Sequence, residues 1–437
     1  MNTTIYRRVI IEGSLTTRSD LQIGAVHDEL PGSPGEPAGK GIMRDANGQP
    51  YIPGSSLRGV LAAEIRRATP HHFKKLFGEA RLTTKEKAGI LRVFDATLPT
   101  QTSSNTIQRT RVSIDPVTRT AKDKHLIHED VLRRGTCFQI TIQADDIDQQ
   151  ALDALLHALN RFTGKADGLQ LGGGKSIGRG HIQWQQKQIR VLDEPAFQQW
   201  LDGDQPLSNA NWQLHTPPAP GAAITTQSWR LLFHFDEPLL INDPAEVTDQ
   251  PEAPRLCYRR HGDKLLVPGS SIKGVFRARA RRILITISNN PNVADQLIGK
   301  MFGSTENASR WRFHDLTTHI ERKHEQTLIA IDRFTGGVQD QALLNLEAAI
   351  AKPAITTIVA DNPPDWQKAL WYLILRDAIE GDLNLGWGAA RGFGAFHIGV
   401  LDDKITQPWK QLQQQMNEAW FDALDEKIQQ HKTGDIA

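Results

Sequence analysis

Two nine-residue stretches of this chain are closely similar although they lie 215 positions apart: residues 51–59 read YIPGSSLRG and residues 266–274 read LVPGSSIKG. A second pair lies at almost the same interval, because LGGGKSIGRGHIQW at 171–184 corresponds to LGWGAARGFGAFHI at 385–398. Self-similarity of this kind indicates a structural unit that occurs twice. The fold must therefore accommodate two copies of one unit.

Weaker matches lie between these landmarks in the same order. VFD at 93–95 corresponds to FHD at 313–315, and ID at 114–115 corresponds to ID at 331–332. These matches predict two homologous domains joined by a Pro- and Ala-rich connector. The predicted boundaries are 1–200 for the first domain, 201–225 for the linker, 226–402 for the second domain and 403–437 for a C-terminal helical tail.

Composition favours a soluble protein with two domains. The chain has 437 residues, of which 39% are hydrophobic and 23% charged, and its net charge is +1. With only two cysteines, Cys137 and Cys257, it has neither a disulfide framework nor a four-cysteine zinc site. Because no apolar run has signal-peptide or membrane-spanning character, we expect a cytoplasmic protein without membrane contact.

Hydrophobic periodicity predicts the same order of elements in both repeats. An alternating strand is followed by a long polar loop, Pro-Gly-Ser-Ser and a helix, then by further strands, a second helix, the glycine-rich stretch and a closing strand. Strand, helix, strand, strand, helix, strand is the ferredoxin-like pattern. The predicted fold class is therefore α+β, with two tandem ferredoxin-like domains.

The tail carries apolar residues at helical spacing and predicts one amphipathic helix. Packing on its own domain and docking to a partner are both open to it. The residues of this stripe are Trp409, Leu412, Met416, Trp420, Leu424 and Ile428.

The glycine-rich stretch at 171–180 does not match a nucleotide-binding P-loop. The pattern GxxxxGK[ST] would need glycine at position 169, which is Leu169, and the second copy has no Lys-Ser. Glycines allow close approach of the main chain to a ligand, and with nearby cations they can clamp phosphate. We predict Lys175, Arg179 and Arg391 as phosphate-binding cations; a tight helix-to-strand turn is the alternative interpretation.

The helix after Pro-Gly-Ser-Ser is the second candidate for anion binding. Its serines, Ser55 or Ser56 in the first copy, are natural N-caps, and a helix N-terminus with hydroxyls and a cation attracts phosphate. Between residues 255 and 282 the chain has nine Lys or Arg and one acid. A row of cations at helical spacing can follow a phosphate backbone, and a solvated basic face is the alternative. The predicted phosphate-binding residues here are Ser55, Ser56, Arg58, Ser270, Ser271, Lys273, Arg277 and Arg281.

Three segments together resemble the repeat-associated mysterious protein (RAMP) superfamily. These are IMRDANGQPYIPGSSLRGVL, LGGGKSIGRGHI and the stretch at 111–140, which is similar to the thumb hairpin of the backbone subunit of type III CRISPR effector complexes. The resemblance implies a modified RNA-recognition fold that grips crRNA, with thumbs that insert into the guide–target duplex. It further implies target RNA and other CRISPR-associated RAMP subunits as partners, and a tandem chain that supplies two consecutive backbone units.

The resemblance also implies an aspartate in the loop after the first strand that cuts target RNA with a divalent metal such as Mg²⁺. Counting back from Arg44-Asp45 reaches Gly39, which is not an acid. The nearby carboxylates are Asp28, Glu29 and Glu36 in the first repeat and Asp243, Asp249 and Glu252 in the second. Of these we predict Asp28 first and Asp249 second as catalytic, and a purely structural role is the alternative. Two further alternatives are a stand-alone endoribonuclease that processes guide RNA and an end-capping RAMP subunit.

Overall fold

The computed structural model of the chain describes most of its length. The described residues are 7–24, 39–78, 88–99, 106–115, 118, 120–203, 212–214, 226–243, 255–304, 306–402, 405–407 and 409–434. The chain divides into two compact units, one built mainly from residues 1–224 and the other mainly from residues 225–437. Among the described residues, no helix is long and apolar enough to cross a membrane.

The first repeat contains eight described strands and four described α-helices. In chain order they are β1 (Arg8–Thr17), β2 (Gly39–Lys40), α1 (Gly54–Ala68), α2 (Pro70–Phe77), β3 (Leu91–Val93), β4 (Thr106–Ile114), β5 (Ala121–Leu132), β6 (Cys137–Asp145), α3 (Gln149–Asn160), β7 (Ile182–Leu192), α4 (Glu194–Leu201) and β8 (Gln213–Leu214).

The second repeat follows the same plan with additions. Its elements are β9 (Thr226–Phe235), β10 (Arg255–Cys257), β11 (Arg260–His261), β12 (Lys264–Val267), α5 (Gly269–Ser288), α6 (Pro291–Phe302), β13 (Trp311–Phe313), β14 (Leu316–Ile331), β15 (Val338–Ala351), β16 (Ala354–Asp361), α7 (Asp365–Ile379), β17 (Leu383–Asn384), β18 (Ala395–Asp402), β19 (Ile405–Gln407), α8 (Trp409–Gln414) and α9 (Glu418–Gly434).

The main sheet has the same strand order in both repeats. It is β3-β6-β1-β7 in the first and β13-β16-β9-β18 in the second, and β1 pairs antiparallel with both β6 and β7. With the helices α1 and α3, this is the strand order and connectivity of a ferredoxin-like unit. The predicted α+β fold with two tandem ferredoxin-like units is confirmed.

One face of each sheet is covered by helices. In the first repeat Val9, Ile11 and Leu15 alternate along β1 and are buried in one cluster with Leu57 and Leu61 of α1. Period-two burial in the strand and helical spacing in α1 bring these side chains together. Each such side chain contributes about 1.5–3 kcal/mol when it is fully buried.

The second core is aromatic. Trp229 stacks on Trp311 with ring centroids 5.3 Å apart, and Phe276 of α5 stacks on Trp371 of α7 at 5.5 Å. Offset stacking adds about 0.5–1.5 kcal/mol per pair to the area buried. Both helices are therefore held on the sheet by rigid rings.

Each repeat extends a β-hairpin, here called its thumb. The first thumb is β4 and β5, with β2 paired parallel to β5. The second is β14 and β15, with 16 and 14 residues, and β10 pairs parallel to β15. The hairpin predicted at 111–140 is present, and the second repeat carries a longer one.

The tail prediction of a single helix was wrong. The segment forms α8 and α9, and the break at 415–417 is stabilised because the Asn417 side chain accepts a hydrogen bond from the Ala419 amide (3.0 Å). Leu424 and Ile428 are buried in the core of the second repeat. The ring of Trp420 packs against that of Tyr372 in α7, with the ring centroids 5.6 Å apart. Of the two roles open to the tail, packing on its own domain is the one that the structure shows.

Candidate nucleic-acid interface

The two Pro-Gly-Ser-Ser turns, residues 53–56 and 268–271, are each capped by an aspartate from the sheet. The Gly54 amide donates to Asp95 Oδ1 at 2.7 Å, and the Gly269 amide donates to Asp315 Oδ1 at 2.7 Å. Charge-assisted bonds of this kind are strong because the acceptor is ionised and lies at the positive end of the helix. The same bond fixes the N-terminus of α1 and of α5.

The predicted serine N-caps were wrong. The N-cap positions are Pro53 and Pro268, neither helix has a side-chain cap from its own N-cap residue, and the serines lie inside the first turn. The physical reason is that the aspartate reaches the first amide from 41 residues away in sequence, so a local hydroxyl is not needed. Sequence reasoning missed Asp95 and Asp315, although the match of 93–95 with 313–315 carried the signal.

The glycine of each turn is required by a close backbone approach. A Cβ at Gly54 would lie 2.1 Å from the Val93 carbonyl oxygen, and a Cβ at Gly269 would lie 2.1 Å from the Phe313 carbonyl oxygen. Both distances are far shorter than a non-bonded contact between carbon and oxygen. The obstructing oxygen belongs to the main chain, so it cannot rotate away as the end of a side chain could. Any other residue would push the helix N-terminus away from the strand.

The first turn of α1 and of α5 contains a backbone amide that can donate a hydrogen bond to a ligand. The Ser56 amide bonds the Pro53 carbonyl (2.9 Å) and the Ser271 amide bonds the Pro268 carbonyl (2.9 Å). By contrast, the amides of Ser55 and Ser270 have no acceptor among the residues that the structure describes. A donor of this kind at a helix N-terminus suits an anionic ligand.

The two glycine loops, residues 171–180 and 385–394, fold on themselves in the same way. The Leu171 amide bonds the Gly180 carbonyl and the Leu385 amide bonds the Gly394 carbonyl, both at 2.8 Å. A Cβ at Gly180 would lie 1.9 Å from the Leu171 carbonyl oxygen, and Gly180 has φ +79°. A Cβ at Gly394 would likewise lie 2.0 Å from the Leu385 carbonyl oxygen, so this closing contact explains Gly180 and Gly394 without a ligand, as the tight-turn interpretation expected.

Arg179 is placed differently from the exposed phosphate contact predicted for it. It is 8% exposed and pairs with Glu129 of the thumb at 2.5 Å, and Glu129 also bonds Arg111. Burial raises the pKa of the Glu129 carboxyl, but the bond from Arg111 and the charge of Arg179 outweigh it and hold that pKa below its usual value. Arg179 therefore ties the glycine loop to the base of the thumb.

A buried glutamate recurs at the base of the second thumb. Glu347 of β15 pairs with Arg260 at 2.6 Å and with Lys323 of β14 at 3.2 Å. Breaking a buried ion pair by removing one member is costly, because it leaves an uncompensated charge. Both thumbs are therefore anchored by an ionic cluster that sequence reasoning did not identify.

The other predicted loop cations lie at the surface. Lys175 is exposed in the short 3₁₀ turn Lys175–Ile177. Arg391 is exposed in the corresponding turn Ala389–Arg391, and its guanidinium lies over the Trp387 ring, 4.9 Å from the centroid. These two positions are accessible to a bound strand.

The basic face of the Pro-Gly-Ser-Ser helices is partly used within each fold. Arg58 donates to the Phe77 carbonyl (2.8 Å), and Arg277 donates to the Gly303 carbonyl (3.0 Å). Arg281 instead forms a two-pronged ion pair with Asp295, at 2.6 and 3.0 Å. A carbonyl partner leaves the cation's net charge in place, whereas a carboxylate neutralises it.

The predicted catalytic acids, Asp28 and Asp249, lie outside the described residues. Among the described acids that follow β1 and β9, two are engaged by arginine: Asp20 pairs with Arg109 at 3.1 Å, and Asp243 lies 3.7 Å from a nitrogen of Arg259. Such carboxylates are already balanced by a cation.

One acidic group elsewhere, at the end of α7, has the spacing of metal ligands. It consists of Asp377, Glu380 and Asp382. Arg279 pairs with Asp377 at 2.5 Å and with Asp382 at 2.9 Å, so a cation from the protein already occupies the cluster.

The Pro-Gly-Ser-Ser turn and the glycine loop lie at the same end of the sheet in each repeat. In the first, β1 and β3 both run antiparallel to β6 and hence in one direction, and β7 begins where β1 ends. The turn contacts Val93 at the end of β3, and the glycine loop directly precedes β7. The pairing of β9, β13, β16 and β18 repeats this arrangement.

Comparison with known proteins agrees with the duplication. The family model of the RAMP superfamily matches residues 14–183 and again residues 233–397, well over half of the chain. No curated protein matches the chain. Members of the superfamily are generally CRISPR-associated RNA-binding proteins. With one match on each of two repeats that share a fold, the chain belongs to the RAMP superfamily.

Proposed function

We propose that this chain is a crRNA-binding backbone subunit of a type III CRISPR interference complex and supplies two consecutive units. The observation that carries the proposal is the repeated geometry at one end of each sheet. At that end of each sheet lies a helix N-terminus whose second amide, that of Ser55 or Ser270, has no acceptor among the described residues. The glycine loop at the same end of the sheet carries an exposed cation, Lys175 or Arg391. Amides and cations of this kind bind phosphates without reading sequence.

The thumbs support a role in holding a guide–target duplex. In the second thumb, Phe334 is 99% exposed at the tip, and Asp332 accepts bonds from the Phe334 and Thr335 amides at 2.8 Å each. Asp115 accepts the same type of bond from the Thr118 amide in the first thumb, at 3.1 Å. A rigid tip with an exposed apolar ring is suited to stacking on or parting bases.

Target-RNA cleavage is the enzymatic part of the proposal. In the sequence Asp28 falls between β1 and β2 and Asp249 between β9 and β10, and each is proposed to bind a divalent metal such as Mg²⁺. When bound, the metal would stabilise charge that develops as the RNA phosphate is attacked.

The test is to express the chain with its neighbouring genes, purify the assembly and extract its RNA. Recovery of guide RNA from the purified assembly supports the proposal, and an assembly that contains no RNA overturns it. A single-turnover assay of the lone chain on repeat RNA separates the alternative, because specific cleavage there would identify a guide-processing endoribonuclease instead.

A further inference from the structure

The two glycine loops share their main-chain path but differ in one side chain. Gly173 of the first repeat and Trp387 of the second occupy the same place: the Gly173 amide bonds the Gln22 carbonyl at 2.8 Å, and the Trp387 amide bonds the Leu240 carbonyl at 2.7 Å. Because the first loop closes without a ring, the indole of Trp387 is not needed for the path of the loop.

The indole packs against a buried aromatic ring. The Trp387 and Phe393 rings meet edge-on with their centroids 5.9 Å apart, and Phe393 is buried. The Phe393 centroid lies 6.0 Å from that of His324 in the second thumb. Gly388 makes room for this contact, since a Cβ there would lie 3.1 Å from the Phe393 ring. The result is a preorganised aromatic stack at the base of the thumb.

A guanidinium covers the indole and faces solvent. Arg391 is exposed, its guanidinium carbon lies 4.9 Å from the Trp387 centroid, and it makes no ion pair within the part of the chain that the structure describes. A guanidinium plane supported by a ring is a surface on which nucleobases stack.

We infer that Arg391 and Trp387 form a base-stacking platform in the second repeat, where the first repeat offers only main chain and Lys175. One nucleobase of the bound strand stacks on the exposed face of the Arg391 guanidinium, while the phosphates follow the main-chain amides. This inference rests on the proposed function and deepens it, because it assigns the two repeats different chemistry toward the same RNA.

The test uses the full-length protein with a uridine-only single-stranded RNA and with RNAs of the same length that each lack one base. Trp387→Ala and Arg391→Lys should each weaken binding roughly ten-fold, the scale of one lost stacking contact. Trp387→Phe keeps a ring and should lose much less. Trp212→Ala is the matched control, because Trp212 of the first repeat also lies under an arginine, with the Arg190 guanidinium carbon 5.2 Å from the ring centroid, and is not part of a glycine loop.

The RNAs that lack one base separate stacking from charge. Removing the base that stacks on the platform should weaken RNA binding by the wild-type protein roughly ten-fold. The same removal should hardly change RNA binding by Trp387→Ala, because the substitution and the missing base delete the same contact. Wild-type affinity of Arg391→Lys, or equal binding of every RNA by the wild type, overturns the inference alone. Absence of RNA binding by the wild type at low salt overturns the proposed function with it.

Discussion

The carboxylate of Asp95 accepts a hydrogen bond from the backbone amide of Gly54 at 2.7 Å and so joins the end of a sheet strand to the first turn of a helix. The second repeat makes the same bond between Asp315 and Gly269. Each bond orients the Pro-Gly-Ser-Ser turn from outside the helix. The stability of that turn, and the position of its amides, should depend on these aspartates.

Replacing Asp95 or Asp315 by Ala should lower the unfolding free energy by about 1 kcal/mol, the usual cost of a lost N-terminal cap. Asp→Asn keeps an acceptor oxygen and should lose less. Urea unfolding of the purified variants measures both. Equal stability of Asp95→Ala and the wild type would show that the bond does not contribute.

Gly269→Ala should destabilise the second repeat by about 1–3 kcal/mol or more, because the new methyl group meets the Phe313 carbonyl oxygen. Gly274→Ala in the same helix is the control: no atom lies within 4 Å of its Cβ position. There the substitution should stabilise by about 0.4–1 kcal/mol. Thermal unfolding of the two variants should therefore shift in opposite directions, and a shift in the same direction would contradict the steric argument.

The ion pairs of Glu129 with Arg111 and Arg179 predict that the protein loses stability in acid. In the folded chain the pKa of the Glu129 carboxyl lies below its ordinary value of 4.5. The stability that Glu129 contributes is therefore complete above pH 4.5 and disappears as the pH falls through the lower, folded pKa. Glu129→Gln should cost about 3 kcal/mol near neutral pH, and its unfolding free energy should depend less on pH below about 4.5.

Urea unfolding at a series of pH values measures that difference. Glu418→Gln, at an exposed position in α9, is the control and should follow the wild-type curve. Parallel acid curves for Glu129→Gln and the wild type would assign the acid sensitivity to other groups.

Two arginines of one helix should differ in their contribution to RNA binding. Arg277 contacts a carbonyl and interacts with Asp295 only through its charge, whereas Arg281 pairs with Asp295 directly through two hydrogen bonds. Arg277→Gln should weaken binding and reduce the slope of log affinity against log salt by about one, and Arg281→Gln should have a smaller effect. Salt titrations with single-stranded RNA measure both slopes, and a larger effect at Arg281 would reverse the assignment.

Cleavage should depend on a loop acid. In the purified assembly with guide RNA, Asp28→Ala or Asp249→Ala should remove part of the ladder of target-RNA fragments, and chelation of Mg²⁺ should remove all of it. RNA content should stay unchanged, since these acids are not placed in the phosphate contacts. An intact ladder for both variants would leave the chain with a structural role only.

The fold could be predicted because its signals are periodic and occur twice. Alternation along β1 and the spacing of Leu57 and Leu61 are local patterns, and duplication confirmed their order. Contacts between distant segments could not be read in this way. Asp95 replaced the predicted serine caps, and Arg179 sits beside Glu129 instead of facing solvent, because both partners come from other parts of the chain.

The tail shows a second limit. Its apolar residues keep helical spacing across 415–417, so periodicity alone indicated one helix. The Asn417 cap restarts the helix while the same face still reaches the core. Periodicity reports which side of a segment is buried, and a break that preserves that side leaves little trace in the pattern.

The closure of both glycine loops by main-chain bonds has an evolutionary consequence. Because backbone atoms define the loop, the residue at its crest is free to vary, as Gly173 and Trp387 show. In a ring or filament of identical single-unit subunits, any such change would appear in every copy. Fusing two units in one gene lets each unit specialise independently on a common scaffold.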